Sequence, residues 1–186
     1  MDSGHHTKPR YKAIEGMKEK KIKTYNIMLS RVFPDTHPKA GEDTGFKPKV
    51  LAALNNLPCY RKKLHTMRGN YPLWKKRFEE VERGEAVIKL RQWTDRPYRS
   101  KTVLIKTLTA KDGIGLQKLS IRMPDRGDLP FYVIDDAMFF STGKVLAQND
   151  GLSLDDWLDW FKDYDKTQPL AIIHFTPFRY KPTIEL

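Results

Sequence analysis

The feature that most constrains the fold is a change in hydrophobic period at Gly84. Before it, Trp74, Phe78 and Val81 stand at helical spacing behind Asn70, which predicts a capped amphipathic helix. After it, apolar and polar residues alternate, which indicates short strands separated by Pro, Gly and Asp turns. The strands predicted there are 86–93, 101–108, 116–121 and 131–134. This combination predicts a small α+β barrel flanked by short helices.

Other elements are predicted on either side of these strands. They are a first strand at 25–33, a helix at 47–56, a helix or turn at 144–147 and a last strand at 170–175. Ser153 and Asp156 have the spacing of a capping box at the start of an amphipathic helix. We expect one domain at 25–186, with a helical insertion around 47–84 and a basic flexible tail at 1–24.

Positive charge is concentrated in the first half of the chain. Residues 1–100 contain 23 Lys and Arg against 11 Asp and Glu, whereas residues 101–186 contain 11 against 12. Within one domain this asymmetry produces a one-sided positive field, which attracts polyanions such as nucleic acids. The alternative interpretation is a basic surface that only maintains solubility.

The composition argues against several classes of protein and of metal site. The single cysteine, Cys59, excludes an internal disulfide and a cysteine-based zinc cluster. No apolar run approaches the ~18 residues that span a bilayer, and residues 1–23 lack the pattern of a signal peptide. We therefore expect a cytoplasmic protein with no membrane association, no metal and no cofactor.

Three segments carry a recognisable order of residues. Lys63, Thr66 and Arg68 follow the pattern K-x-x-T-x-R, 146–157 reads L-A-Q-N-D-G-L-S-L-D-D-W, and 172–176 reads I-I-H-F-T. In the same order, these resemble the G-x-K-x-x-T-x-R element, the Asn-Asp-Gly helix and the closing strand of ASCH domains, a branch of the PUA-like superfamily. The resemblance implies a PUA-like (ASCH) β-barrel in which the first motif, the Asn-Asp-Gly turn and barrel strands line a shared cleft.

The chain also departs from that pattern. Arg61 and Lys62 stand where the family often has Gly, and a long helical insertion follows Arg68. Residues 1–60 include an N-terminal elaboration that the shortest family members lack.

The resemblance further implies a candidate catalytic site. Some small ASCH proteins are amidohydrolases that remove the acyl group of N4-acetylcytidine with a Lys, a Thr and a Glu. Carried over by motif position, these roles fall on Lys63, Thr66 and Asp150, so that Asp replaces Glu. The shorter side chain matters, because a misplacement of about 1 Å can cost on the order of 100-fold in rate.

The chemistry of these residues is plausible on physical grounds. A threonine hydroxyl is a poor nucleophile that needs a base, and a lysine serves as one when burial or nearby cations lower its pKa. Lys62 and Arg68 are near enough in sequence to supply that charge. The structural alternatives are that Thr66 is only a strand residue, that Lys63 is only a solvated charge and that Asp150 only stabilises a turn.

A second hypothesis is that a basic cleft binds RNA, single-stranded nucleic acid or a modified nucleoside. This function requires fewer special properties of the residues than catalysis does. Cations would contact phosphates and aromatic rings would stack on bases, as in other single-strand binders. The candidates are Arg68, Lys75, Lys76, Arg91, Trp93, Arg96, Tyr98 and Arg99. A protein-interaction adaptor is a further alternative, since ASCH domains also occur in transcriptional coactivator assemblies.

Overall fold

Two β-sheets and four α-helices make up the part of the chain that the computed structural model describes, which is residues 21–122, 130–139 and 143–181. The predicted α+β class is therefore confirmed. Most of the predicted basic tail, residues 1–20, lies outside the described residues.

The first sheet has three strands in the order β1-β3-β4. Their bounds are β1 Lys23–Leu29, β3 Ala86–Trp93 and β4 Thr102–Leu108. Strand β3 alternates strictly between buried and partly buried residues, as its period-two sequence predicts, and it contributes Ile88 and Leu90 to the core. It pairs in parallel with β1 and antiparallel with β4.

The second sheet has five strands in the order β2-β8-β5-β6-β7. Their bounds are β2 His65–Arg68, β5 Gly115–Arg122, β6 Phe131–Ile134, β7 Ala137–Phe139 and β8 Leu170–His174. All five residues of β8 are buried, since it is paired on both sides. Its pairing with β2 places Thr66 opposite Ile173 and Arg68 opposite Ala171, which holds the first sequence motif in register.

The helices begin where their capping residues lie. Their bounds are α1 Phe46–Leu54, α2 Tyr71–Glu82, α3 Gly143–Asn149 and α4 Leu154–Phe161, and a 3-10 turn covers Ala110–Asp112. The Asn70 side chain accepts a hydrogen bond from the Leu73 amide at 3.1 Å, and Ser153 accepts one from the Asp156 amide at 3.1 Å. Within the described ranges, no helix is long and apolar enough to cross a membrane.

The strands do not close into the single barrel that the sequence analysis expected. Among the described residues, strand pairing forms two separate sheets, and no strand of the first is paired with a strand of the second. Where β1 approaches β2, a side chain makes the link instead, because Arg68 Nη2 donates to the Met28 carbonyl oxygen at 2.6 Å. That carbonyl is thereby satisfied without a strand partner.

Candidate functional site

A small, partly open cavity lies between the two sheets. Its volume is about 70 Å³, roughly that of two water molecules. Its lining comes from β1, α1, β2, α4 and the two segments that precede β2 and α4: Met28, Leu29, Ser30, Phe46, Lys63, Thr66, Arg68, Asp150, Trp160 and Phe161. All three candidate catalytic residues therefore meet at one cavity, although 87 positions separate Lys63 from Asp150.

Lys63 and Asp150 form a buried ion pair at this cavity. Their side chains are 1% and 4% exposed, and Lys63 Nζ donates both to the Asp150 carbonyl oxygen at 2.7 Å and to its carboxylate Oδ1. The ammonium also lies 3.9 Å from the centroid of the Phe46 ring. Gly151 permits the close approach, because its φ is +79° and a Cβ there would lie 3.2 Å from Lys63 Cβ.

Burial changes the acid–base properties of both partners. It lowers the pKa of Lys63 to about 8, assisted by the charges of Arg68 and Lys49 and opposed by Asp150. Burial raises the pKa of the Asp150 carboxyl, and Lys63 and Arg68 oppose that shift. At pH 7 about a tenth of Lys63 side chains would then be neutral amines. The site thus contains a lysine whose pKa, at about 8, lies close to physiological pH.

Thr66 and Arg68 lie next to this pair on β2. Thr66 is 3% exposed, and its Oγ1 accepts a hydrogen bond from Arg68 Nη1 at 3.1 Å. Arg68 also donates to the backbone oxygens of Met67 at 2.9 Å and Met28 at 2.6 Å. Its guanidinium is therefore engaged by Thr66 and by backbone oxygens of the protein, whereas the sequence predicted contacts with nucleic acid in a basic cleft.

Alternate residues of the segment before β2 face different cavities. Lys63 lines the small cavity, whereas Lys62 and Leu64 line a larger open cleft of about 560 Å³. Lys62 Nζ donates to Asn56 Oδ1 at 3.1 Å in that cleft. The two neighbouring lysines are thus a matched pair, of which only Lys63 belongs to the candidate site.

Three polar residues behind Asp150 were not among the predicted site residues. His65 Nε2 lies 2.7 Å from the Tyr180 hydroxyl, and Asn149 Nδ2 donates to the same hydroxyl at 3.0 Å. The other ring nitrogen, His65 Nδ1, lies 3.9 Å from Asp150 Oδ1. Residues two apart in a strand lie on the same face, so the position of His65 two residues after Lys63 could have indicated that both face the site. No local pattern indicates Tyr180.

The remaining candidate nucleic-acid residues lie on other surfaces. Lys75 and Lys76 are exposed on α2, and Arg96, Tyr98 and Arg99 are exposed in the turn between β3 and β4. The rings of Trp93 and Tyr98 pack with centroids 5.5 Å apart, and Tyr98 is 90% exposed. Arg91 instead donates to Thr102 Oγ1 at 2.9 Å across the strand pair.

The β3–β4 hairpin is attached to the chain segment that borders the cavity. Gln92 Nε2 donates to the carbonyl oxygen of Ser30, a cavity-lining residue, at 3.5 Å. Arg31 and Asp95 form an ion pair at 3.5 Å. These two contacts hold the base of the hairpin against residues 30 and 31, next to the cavity.

Neither a metal-binding cluster nor a likeness to a known protein identifies the site more specifically. The described residues contain no group of three or more His, Cys, Asp and Glu side chains arranged to hold a metal ion. No protein-family model, curated protein or solved structure matches the chain.

Proposed function

We propose that this chain is an ASCH-type domain of the PUA-like superfamily that hydrolyses an acyl amide on a nucleobase, with N4-acetylcytidine as the representative substrate. One observation carries the proposal. Lys63, Thr66 and Asp150 line a single cavity in which burial lowers the pKa of the lysine to about 8. A strongly perturbed lysine beside a hydroxyl and a carboxylate is characteristic of catalytic sites.

The proposed reaction begins at the threonine hydroxyl. The neutral amine of Lys63 accepts the Thr66 proton while Oγ1 attacks the acyl carbon, and the carbonyl electrons move to oxygen. Collapse of this intermediate breaks the C–N bond, and the Lys63 ammonium returns the proton to the leaving exocyclic amine. Water then hydrolyses the threonyl ester, which releases the carboxylic acid and restores the hydroxyl.

Arg68 and Asp150 support these steps without changing covalently. The Arg68 guanidinium already donates to Thr66 Oγ1, and it would stabilise negative charge that develops beside it. Asp150 holds Lys63 through its carboxylate, so the substitution of Asp for Glu does not prevent contact. The backbones of Lys63 and Asp150 form an antiparallel bridge, and this closeness compensates for the missing methylene.

The volume of the cavity restricts what can enter it. About 70 Å³ accommodates an acyl group and the edge of a base, but not a whole nucleoside. The sugar and any attached phosphate would therefore remain outside, towards the Ser30 side and the β3–β4 hairpin.

The test is hydrolysis of N4-acetylcytidine by purified protein, followed by chromatography. We expect wild type and Lys62→Met to release cytidine, and Lys63→Met and Thr66→Val to be slower by on the order of 100-fold or more. Absence of release by wild type would refute the proposal. Equal rates for Lys62→Met and Lys63→Met would refute the assigned site.

A second candidate function, binding of single-stranded RNA, is supported by the exposed Tyr98 ring, which packs on the partly exposed Trp93. Aromatic rings beside Arg96 and Arg99 suit stacking on unpaired bases and contact with phosphates. The two functions are compatible, because Gln92 and Asp95 of the hairpin contact Ser30 and Arg31 beside the cavity. The chain would then bind a strand with the hairpin and place one acylated base in the cavity.

A further inference from the structure

His65 is completely buried, yet one of its ring nitrogens lacks a partner. Within the described part of the chain, Nδ1 makes no hydrogen bond, although the residue is 0% exposed. A buried polar atom without a partner is costly, so its retention calls for an explanation. The nearest acidic atom is Asp150 Oδ1, 3.9 Å away.

The hydrogen bonds of Tyr180 determine which nitrogen of His65 carries the proton. Asn149 donates to the Tyr180 hydroxyl, and among the described contacts of that hydroxyl His65 Nε2 is the atom that can accept its proton. Burial, with the charges of His174 and Lys63, lowers the pKa of His65 well below its usual value, so the ring is neutral. A neutral ring with an accepting Nε2 carries its proton on Nδ1, facing Asp150.

We propose that His65 is a positioning residue whose Nδ1–H holds the Asp150 carboxylate when Lys63 is neutral. This inference rests on the proposed function, because it concerns the step in which Lys63 acts as a base. In the resting state the Lys63 ammonium compensates the buried carboxylate. When Lys63 is a neutral amine, Asp150 needs another donor, and a small shift of its side chain would close the distance to His65.

The groups that face Asp150 come from three parts of the fold. Lys63 and Arg68 lie on the β2 side and supply positive charge, and His65 lies between them in sequence. Behind His65 stand His174 on β8 and the Tyr180 hydroxyl, both neutral because burial lowers the pKa of the first and raises that of the second. Among the lysine, arginine and histidine nitrogens of the described residues, Lys63 Nζ and His65 Nδ1 are the ones within 4 Å of an Asp150 carboxylate oxygen.

Two substitutions of similar size separate the two ends of the ring. His65→Asn keeps an amide near the position of Nδ1 and loses the contact with Tyr180. His65→Gln reaches Tyr180 and loses the donor facing Asp150. We expect the pKa of Lys63, followed by NMR of the free protein, to rise by about one unit in His65→Gln and to stay near 8 in His65→Asn.

Turnover provides the second readout. The pH at which kcat rises should move upward with the pKa of Lys63 in His65→Gln, with little change in KM, and His65→Asn should retain the wild-type profile. Equal pKa values for Lys63 in the two variants would overturn the inference. So would a nitrogen–proton correlation spectrum of wild type that places the His65 proton on Nε2.

These outcomes are distinguishable from failure of the proposed function. The tautomer of His65 and the pKa of Lys63 are measured without substrate, so a protein that does not hydrolyse N4-acetylcytidine still answers both questions. The tautomer experiment needs no substitution, and it therefore remains decisive if either variant fails to fold.

Discussion

Lys63 is among the largest fully buried side chains of the protein, together with Trp157 and Phe175. Lysine is almost never buried to this extent without a partner, because transfer of its charge from water is costly. Its hydrogen bonds to Asp150 compensate only part of that cost, which is why burial still lowers its pKa. At the residue scale, the site is therefore a place where a buried and only partly compensated charge reduces stability.

Removal of Lys63 alone and removal of both members of the ion pair should change the free energy of unfolding by different amounts. Lys63→Met leaves the Asp150 carboxyl buried without its partner, so we expect a loss of about 3 kcal/mol. Lys63→Met combined with Asp150→Leu replaces both charges by apolar groups and should recover most of that loss. Urea denaturation measures both, with Lys62→Met as a control expected within about 0.5 kcal/mol of wild type. A double variant as unstable as Lys63→Met would contradict this account.

The same lysine should make stability depend on pH. Its pKa is lowered from 10.5 to about 8 by folding, so between these values the unfolded chain binds more protons than the folded one. The free energy of unfolding should therefore rise with pH across this window, by up to about 3 kcal/mol. Urea denaturation at about pH 7.5 and about pH 10 tests this. Lys63→Met should lack the increment, and an identical increment in that variant would assign it to other groups.

At the element scale, the β3–β4 hairpin has the features of a separate contact surface. It joins two strands of the first sheet, and its turn exposes Arg96, Tyr98 and Arg99. Tyr98 adopts a left-handed backbone conformation, with φ of 61°, that holds its ring beside Trp93. A non-glycine residue in this conformation is uncommon and frequently has a functional reason.

Substitutions in the hairpin should weaken binding of single-stranded RNA. We expect Tyr98→Ala to reduce affinity by about 1–3 kcal/mol, because a stacked base is lost. Arg96→Ala should make the affinity less dependent on salt, because one phosphate contact is lost. Fluorescence anisotropy with a labelled oligonucleotide measures both.

A matched control exists elsewhere on the surface. Tyr60 is 89% exposed and lies against Arg61, as Tyr98 lies near cations, but it is not part of the hairpin. Tyr60→Ala should leave affinity unchanged. If it weakens binding as much as Tyr98→Ala does, stacking at the hairpin is not the cause.

At the scale of the whole molecule, the candidate site depends on both sheets at once. β1 of the first sheet and β2 of the second contribute to one cavity, and α1 and α4 close it. Such a cavity persists only while both sheets stay folded and packed together. We therefore expect the site to belong to a stable part of the protein rather than to a loop that opens easily.

Hydrogen exchange should show this distribution of stability. The amides of β8 should exchange most slowly, because the strand is buried throughout and paired with β2 and β5. Amides on the outer side of β4 should exchange faster, since this strand is paired only with β3 among the described residues and exposes Val103 and Leu104. Mass spectrometry of proteolytic peptides resolves the two, and faster exchange in β8 than in β4 would contradict the expectation.

Local patterns predicted many of the elements. Helical spacing and the Asn70 cap located α2, and strict alternation located β3 with both of its ends. The last strand was also predicted, with one residue too many. The strands β2 and β7, of four and three residues, were not predicted. Strand β6 also has four residues, but its sequence F-Y-V-I consists of strand-favouring residues, whereas β2 reads H-T-M-R. Residues 47–84 thus contain a strand between two helices.

What the sequence by itself determined is the set of elements with a clear period, since spacing and capping act between near neighbours. The choice of Lys63, Thr66 and Asp150 came from the resemblance of their motifs to those of ASCH domains. Only the tertiary structure decided that the strands form two sheets, that Arg68 turns inward and that His65 and Tyr180 stand behind Asp150. These depend on contacts between residues far apart in the chain, such as Lys63 and Asp150. Their pairing is set by packing and by the need to satisfy buried polar groups, neither of which leaves a local pattern.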